Sequence, residues 1–176
     1  MKNFLVLTSR PSHILLSSKN IKMTLSENKF KEITDKLNLN LEIIKFEEST
    51  KTSQQAADVL GTNVAQIGKS IVFETKSGKF VLVVTSGANR VNEKVIEKEM
   101  NDKIVKSNPN EIRDYVGYPI GGIPPFGHDN PMIIFIDEDL KQFDVIFCAG
   151  GTPNTIFQTT PLQVAEITKG KWINIH

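Results

Sequence analysis

Ser70-Ile71-Val72-Phe73-Glu74-Thr75, Lys76-Ser77-Gly78-Lys79 and Phe80-Val81-Leu82-Val83-Val84-Thr85 follow one another without a break, and this stretch decides the fold. Two runs rich in β-branched and aromatic residues flank a short turn that contains a glycine, which is the signature of a β-hairpin. So short a link cannot carry the chain across a sheet, so the two strands must be antiparallel neighbours. A purely parallel architecture is thereby excluded.

Working outward, Thr24-Leu25-Ser26-Glu27 has the pattern of a capping box, followed by Phe30, Ile33 and Leu37 at helical spacing. Residues 41–46 read as a short strand. Thr52 with Gln55 forms a second capping box, and Gly61 ends that helix. Past the hairpin, Val91, Val95 and Met100 mark a helix whose Glu93, Lys94, Glu97 and Lys98 read as a solvated face. Asn108-Pro109 opens another helix, closed by Gly117. Residues 132–136, 145–149 and 155–158 read as strands, the first two buried. Thr160-Pro161 starts a short helix, and 171–175 is a final strand. Helices and strands are interspersed, so the expectation is one mixed α/β domain with a curved central sheet.

The composition sets bounds. A chain of 176 residues with 39% apolar and 23% charged residues matches one ordinary globular domain, large enough to bury a core without disulfides. The single cysteine, Cys148, lies in the apolar run Val145-Ile146-Phe147-Cys148-Ala149, which indicates an inert core thiol and suits a reducing, cytoplasmic setting. A net charge of +1 gives no global basic field, so no DNA partner is expected and any phosphate partner must be met locally. No apolar run reaches the length of a membrane span. Phe4-Leu5-Val6-Leu7 and Ile14-Leu15-Leu16 are too short for a secretory core. Residues 1–23 are expected to be an extension, or the product of a start codon assigned too far upstream, with the working domain at 24–176.

Residues 117–128 read Gly-Tyr-Pro-Ile-Gly-Gly-Ile-Pro-Pro-Phe-Gly-His, with four glycines and three prolines. Such a loop presents bare peptide groups in a stiffened frame, suited to a small polar substrate held by main-chain hydrogen bonds; a plain rigid turn is the other reading. Lys69, after Gly68 and just before the apolar run, is expected at the mouth of the sheet. There its ammonium can hold a phosphate or polarise an ester carbonyl, or simply extend into solvent. His128 is the sole histidine between His13 and His176, and imidazole can act as base, acid or orienting donor near neutral pH. Arg90 can meet a phosphate or pair with Glu93. No nucleophile elbow, zinc spacing or dinucleotide fingerprint occurs, so neither metal nor cofactor is expected. Gly68-Lys69-Ser70 mimics the tail of a phosphate-binding loop, but the required first glycine would fall at Asn63 and a strand follows, which excludes a nucleoside triphosphatase.

Three motifs carry a resemblance: Ala65-Gln66-Ile67-Gly68-Lys69-Ser70-Ile71-Val72-Phe73, Gly121-Gly122-Ile123-Pro124-Pro125-Phe126-Gly127-His128, and Cys148-Ala149-Gly150-Gly151-Thr152-Pro153-Asn154. In order and spacing they resemble the YbaK/prolyl-tRNA-synthetase-associated editing-domain family over roughly residues 26–176. The resemblance implies a barrel-like mixed sheet with flanking helices and a free-standing hydrolase that deacylates mischarged tRNA. It implies Lys69 and His128 as the catalytic candidates. Main-chain groups of Gly121, Gly122, Ile123, Pro124 and Pro125 would hold the aminoacyl moiety, beside Phe126 and Gly127. Gly150 and Gly151 would shape the pocket, and Gly87 and Arg90 loosely match a glycine followed by a basic pair. A ribose hydroxyl of the tRNA would help position the attacking water. The implied partners are the aminoacyl-tRNA acceptor end and an aminoacyl-tRNA synthetase, and the implied amino acid is small: Ala, Cys, Ser or Thr. Pro125-Phe126-Gly127-His128 and the segment from Gly151 to Phe157 depart from the best-known members, which leaves the amino acid and its tRNA open. A module that binds aminoacyl-tRNA or nucleotide without turnover is the competing reading.

Overall fold

The hairpin forms as read: β2 (Ile67–Thr75) and β3 (Phe80–Ser86) pair antiparallel from Gly68↔Ser86 to Glu74↔Phe80. Gly78 takes the left-handed conformation that the turn requires, at φ 79°. One expectation is corrected here. β2 begins at Ile67, so Lys69 is its third residue, paired with Thr85, and does not stand ahead of the strand. The strand starts early because Ile67 and Gly68 also pair, in parallel, with Phe147 and Cys148 of β6 (Ile146–Ala149).

The computed structural model describes residues 24–46 and 52–176; the expectations for residues 1–23 lie outside them. The described strands form one eight-stranded sheet. From one end to the other run β1 (Ile43–Lys45), β7 (Thr155–Thr159), β6, β2, β3, β5 (Ile133–Asp137) and β8 (Lys171–Ile173). The two-residue β4 (Ile104–Val105) pairs with the far end of β2. Pairs β2–β6, β3–β5 and β5–β8 are parallel, and β1–β7, β6–β7, β2–β3 and β2–β4 antiparallel. The mixed α/β reading therefore holds, with the sheet an open path ending at β1 and β8.

Among the described residues five α-helices flank the sheet, and the capping signals read in the sequence act as expected. Thr24 and Glu27 close a capping box on α1 (Leu25–Lys36), and Thr52 and Gln55 do the same on α2 (Ser53–Leu60), which Gly61 ends. α3 (Glu93–Met100) starts after Asn92, α4 (Pro109–Val116) after Asn108, and α5 (Pro161–Thr168) after Thr160. The main core lies between α1, the 117–128 loop and one face of the sheet, where Phe30, Leu82, Val84, Tyr118, Phe126 and Phe157 pack together. A second cluster puts Ile96 of α3 against Val81, Val83 and Phe135 on the other face. A third seats Ala56 and Ala57 of α2 on Ile67 and Ile156.

Two surface expectations change. Leu37, expected on the core face of α1, ends the helix at 48% exposure while Thr34 turns inward. Glu97 is not merely solvated: it accepts from Lys103 Nζ at 2.8 Å and from Ile104 N at 3.2 Å, tying α3 to β4, and these bonds lower its pKa. Among the described residues no helix is long and apolar enough to cross a membrane.

Candidate functional site

A cleft of about 900 Å³ opens along β2, within the range of small-ligand sites. Residues 67–72 of β2 form its floor. The first turn of α2 (Thr52, Ser53, Gln54) and Gly87-Ala88 bound one end, Ile112 of α4 and the 120–123 region bound another, and Phe147, Ala149, Pro153 and Ile156 close the side. The walls are mostly aliphatic. Within them stands the ammonium of Lys69.

Alternation along β2 sets where Lys69 points. Ile67, Lys69, Ile71 and Phe73 share one face, on which Ile67 packs with α2 and Phe73 packs with the cluster around α3. Lys69 falls between these two positions, half-buried, and its Nζ makes no ion pair or hydrogen bond among the described residues. Ser70 carries a buried Oγ that likewise lacks a partner.

Two glycines bring the walls together. A Cβ on Gly87 would lie 2.5 Å from the Val64 carbonyl and 2.7 Å from Ser53 Cβ, so a bare backbone here lets α2 begin at the cleft. A Cβ on Gly122 would lie 2.5 Å from the main chain of Thr152, and the Gly151 N–H donates to the Gly122 carbonyl at 3.1 Å. The two glycine pairs of the sequence, Gly121-Gly122 and Gly150-Gly151, are thus locked to each other. Of the predicted site residues, Lys69, Gly87, Gly121 and Ile123 line the cleft. Gly122, Pro124, Pro125, Phe126, Gly150 and Gly151 are buried behind it, with the Phe126 ring tilted against Phe30 and edge-on to Phe157 in the core. Gly127 packs against Ile33 of α1. Arg90 is exposed, lies outside the lining, and makes no ion pair with Glu93 among the described residues.

His128 also lies outside the lining. Its Nε2 is 2.8 Å from the Pro124 carbonyl; a carbonyl can only accept, so this nitrogen carries a proton. Burial above all, with Lys29 nearby, pushes the imidazole pKa down despite the opposing pull of the Pro124 bond and Asp129, so the ring is neutral at pH 7. Around it, Lys29 Nζ pairs with Asp129 at 2.7 Å, donates to the Gly117 carbonyl at 3.2 Å, and sits 4.0 Å over the Tyr118 ring. Burial, and then Asp129, push the Tyr118 hydroxyl pKa up. Cys148 is the inert core thiol expected, buried and pushed up to about 12.

Two further groupings exist among the described residues. A cavity of about 340 Å³ between α1 and β1 is lined by Glu27, Lys31, Asp35 and Lys45. Lys45 lies 2.9 Å from Glu27, and Lys31 3.0 Å from Asp35, so both cations are engaged. Burial opposes the Glu27 charge, but the Thr24 N–H and Lys45 outweigh it and hold its pKa low. Asp137, Asp139 and His176 offer ligand atoms within 4.8 Å of one another. Asp137 already accepts from Ser86 N, Thr85 Oγ1, Asn89 Nδ2 and Asp139 N at 2.9–3.2 Å, which fits a knot joining β3 to β5 better than a metal centre.

Sequence reasoning missed the α2 start, Ile112 and the flanking Ser70 and Val72. Thr52-Ser53 was visible as a cap, but only the third dimension brings it to Gly87.

A family model described as the aminoacyl-tRNA editing domain matches residues 47–167. The chain is 30% identical to the uncharacterized protein YwhH of Bacillus subtilis, over 76% of this chain and 86% of that one. It is 31% identical to a proline–tRNA ligase of Fervidobacterium nodosum over 57% of this chain, which spans only 18% of the ligase. A crystal structure described as a candidate trans-editing enzyme for prolyl-tRNA synthetase superposes with a TM-score of 0.82 at 30% identity, covering 87% of this chain and 98% of the other.

Proposed function

The chain belongs to the aminoacyl-tRNA editing domain family, and from that premise we propose that it is a free-standing trans-editing hydrolase that removes a small amino acid from mischarged tRNA. The working unit is taken as residues 24–176. The observation that carries the proposal is Lys69: an ammonium with no partner among the described residues, held in a mostly aliphatic cleft.

An aminoacyl ester is already activated, so hydrolysis asks mainly for placement and for stabilisation of the charge that develops on the carbonyl oxygen. Water attacks the ester carbon, the bond to the ribose oxygen breaks, and the products are the free amino acid and the uncharged tRNA end. Lys69 offsets negative charge on the ester oxygen, or on the phosphate beside it, where aliphatic walls weaken competition from water. The cleft volume of about 900 Å³ suits a terminal nucleoside carrying a small aminoacyl group. His128 acts at one remove in this scheme: its bond to the Pro124 carbonyl holds the loop whose 121–123 portion faces the ligand. The partner is the acceptor end of an aminoacyl-tRNA in the cytoplasm. A prolyl-tRNA synthetase is the second partner in this reading, supported by the likeness to proline–tRNA ligase sequences.

The test is a panel of tRNAs charged with Ala, Cys, Ser or Thr. Release of one amino acid well above its spontaneous rate is expected. Binding of the charged tRNA with no release would favour a recognition module instead.

A further inference from the structure

The edge of β2 inside the cleft holds main-chain groups that no other element covers. Two bonds fix the phase of the β2–β3 ladder: Thr75 N donates to the Lys79 carbonyl at 2.9 Å, and Gly87 N donates to the Ile67 carbonyl at 2.7 Å. With the observed register, Ile67, Lys69, Ile71, Phe73 and Thr75 exchange bonds with β3 and its flanks. Gly68, Ser70, Val72 and Glu74 therefore turn N–H and C=O to the opposite side. On that side β6 pairs only with Ile67 and Gly68, and β4 only with Glu74 and Thr75. Pairing with β6 stops there because Gly151, whose N–H would be the next to face β2, donates instead to the Gly122 carbonyl at 3.1 Å. Ser70 and Val72 are left between the two strands, and no loop hydrogen bond among the described residues reaches their main chain. Both line the cleft.

Main-chain groups in a half-buried setting need partners, and sheet edges are normally covered or blunted. A ligand of one residue fits this gap. In a hydrogen-bonded antiparallel pair, each residue donates its N–H to the other's carbonyl and accepts on its own carbonyl from the other's nitrogen. An aminoacyl ester carries that same pattern, a nitrogen and a carbonyl on either side of one Cα.

We infer that the uncovered β2 edge at Ser70 and Val72 is a main-chain subsite that binds the aminoacyl group as a one-residue strand. The α-ammonium donates to a C=O of the edge, and the ester carbonyl accepts an edge N–H, which also favours negative charge developing on that oxygen. This rests on the editing reading and narrows its substrate class to aminoacyl esters with a free α-amino group, excluding N-acylated and peptidyl esters.

The probe is adenosine carrying an alanyl group through a 3′-amide, which cannot be deacylated, compared with its N-acetyl derivative. Amide hydrogen exchange in the unliganded protein should be fast at Ser70 and Val72 and slow at Ile71 and Phe73. The free-amine probe should slow Ser70 and Val72, and N-acetylation should weaken binding about thirtyfold, the scale of losing a charge-assisted hydrogen bond. Three results overturn the subsite: protection of Ser70 and Val72 before the probe is added, equal affinity for the two probes, or no binding of either. Deacylation of charged tRNA, measured in parallel, reports on the editing reading separately. Probe binding with protection at Ser70 and Val72, but no release of amino acid, would sink the hydrolase and keep the subsite.

Discussion

Lys29 and Lys69 are both half-buried lysines near the glycine-proline loop, one behind it and one on the cleft floor. Lys29 is fully engaged: it pairs with Asp129, donates to the Gly117 carbonyl and covers the Tyr118 ring. Its neighbour His128 is engaged too, donating to Pro124. Lys69 has no such partner among the described residues, and next to it Ser70 leaves Oγ unbonded. Polar groups behind the loop hold the fold, whereas those along β2 remain available to a ligand. On the proposed reading, the titratable cluster that looks most like an active site by residue type serves the fold.

The largest effect should come from breaking the lock between the two regions. Gly122→Ala pushes a Cβ into the Thr152 main chain, where it would lie 2.5 Å away, and backbone cannot yield as a flexible side chain can. A loss of about 3 kcal/mol in denaturant unfolding is expected. A loss near zero would mean that the loops do not depend on each other. Next, Lys69→Arg keeps the charge but replaces a compact ammonium with a planar fork. It should retain less than about a tenth of the deacylation rate, a loss near 1.4 kcal/mol, with thermal stability unchanged. Full activity would show that charge alone is enough.

The pH response separates the regions by sign. The pKa of His128 is lowered in the folded state. Its contribution is therefore fully present above the ordinary histidine value near 6.5 and is lost as pH falls toward the folded value. Stability should decline as pH falls below the ordinary histidine value near 6.5, and His128→Gln should flatten that slope. An unchanged slope would show that another group is responsible. The smallest effect belongs to the Lys29–Asp129 pair, which is partly open to solvent. Asp129→Asn should cost no more than about 1 kcal/mol, and a thermal melt showing a much larger loss would place this pair among the core interactions.

The hairpin and the caps of α1, α2, α4 and α5 were legible because they rest on local chemistry, whereas the Asn92 cap of α3 and the contact between the two glycine pairs were not read. Thr52 with Gln55 caps α2 as the pattern requires, for example. The early start of β2 was not legible, since Ile67 and Gly68 become strand only through pairing with Phe147 and Cys148, some eighty residues away. β4 was missed for the same reason: two residues carry no period. The loop deceived in part. Its glycines and prolines predicted an open, ligand-facing frame, yet Pro124, Pro125 and Phe126 are buried, and only its 120–123 portion meets the cleft. Residue type signals rigidity, and which side is turned to solvent is decided by the aromatic packing of Phe126 on Phe30 and Phe157.

The central claim is that the cleft floor, and not the cluster behind the loop, carries the chemistry. Single-turnover deacylation by Lys69→Ala and His128→Ala, measured side by side on the same mischarged tRNA, tests it most directly. Lys69→Ala should lose about a hundredfold or more, near 3 kcal/mol, the scale of one preorganised charge or donor. His128→Ala should lose only about tenfold, through slackening of the Pro124 loop. Full turnover in Lys69→Ala together with none in His128→Ala would contradict the account and make the imidazole the general base.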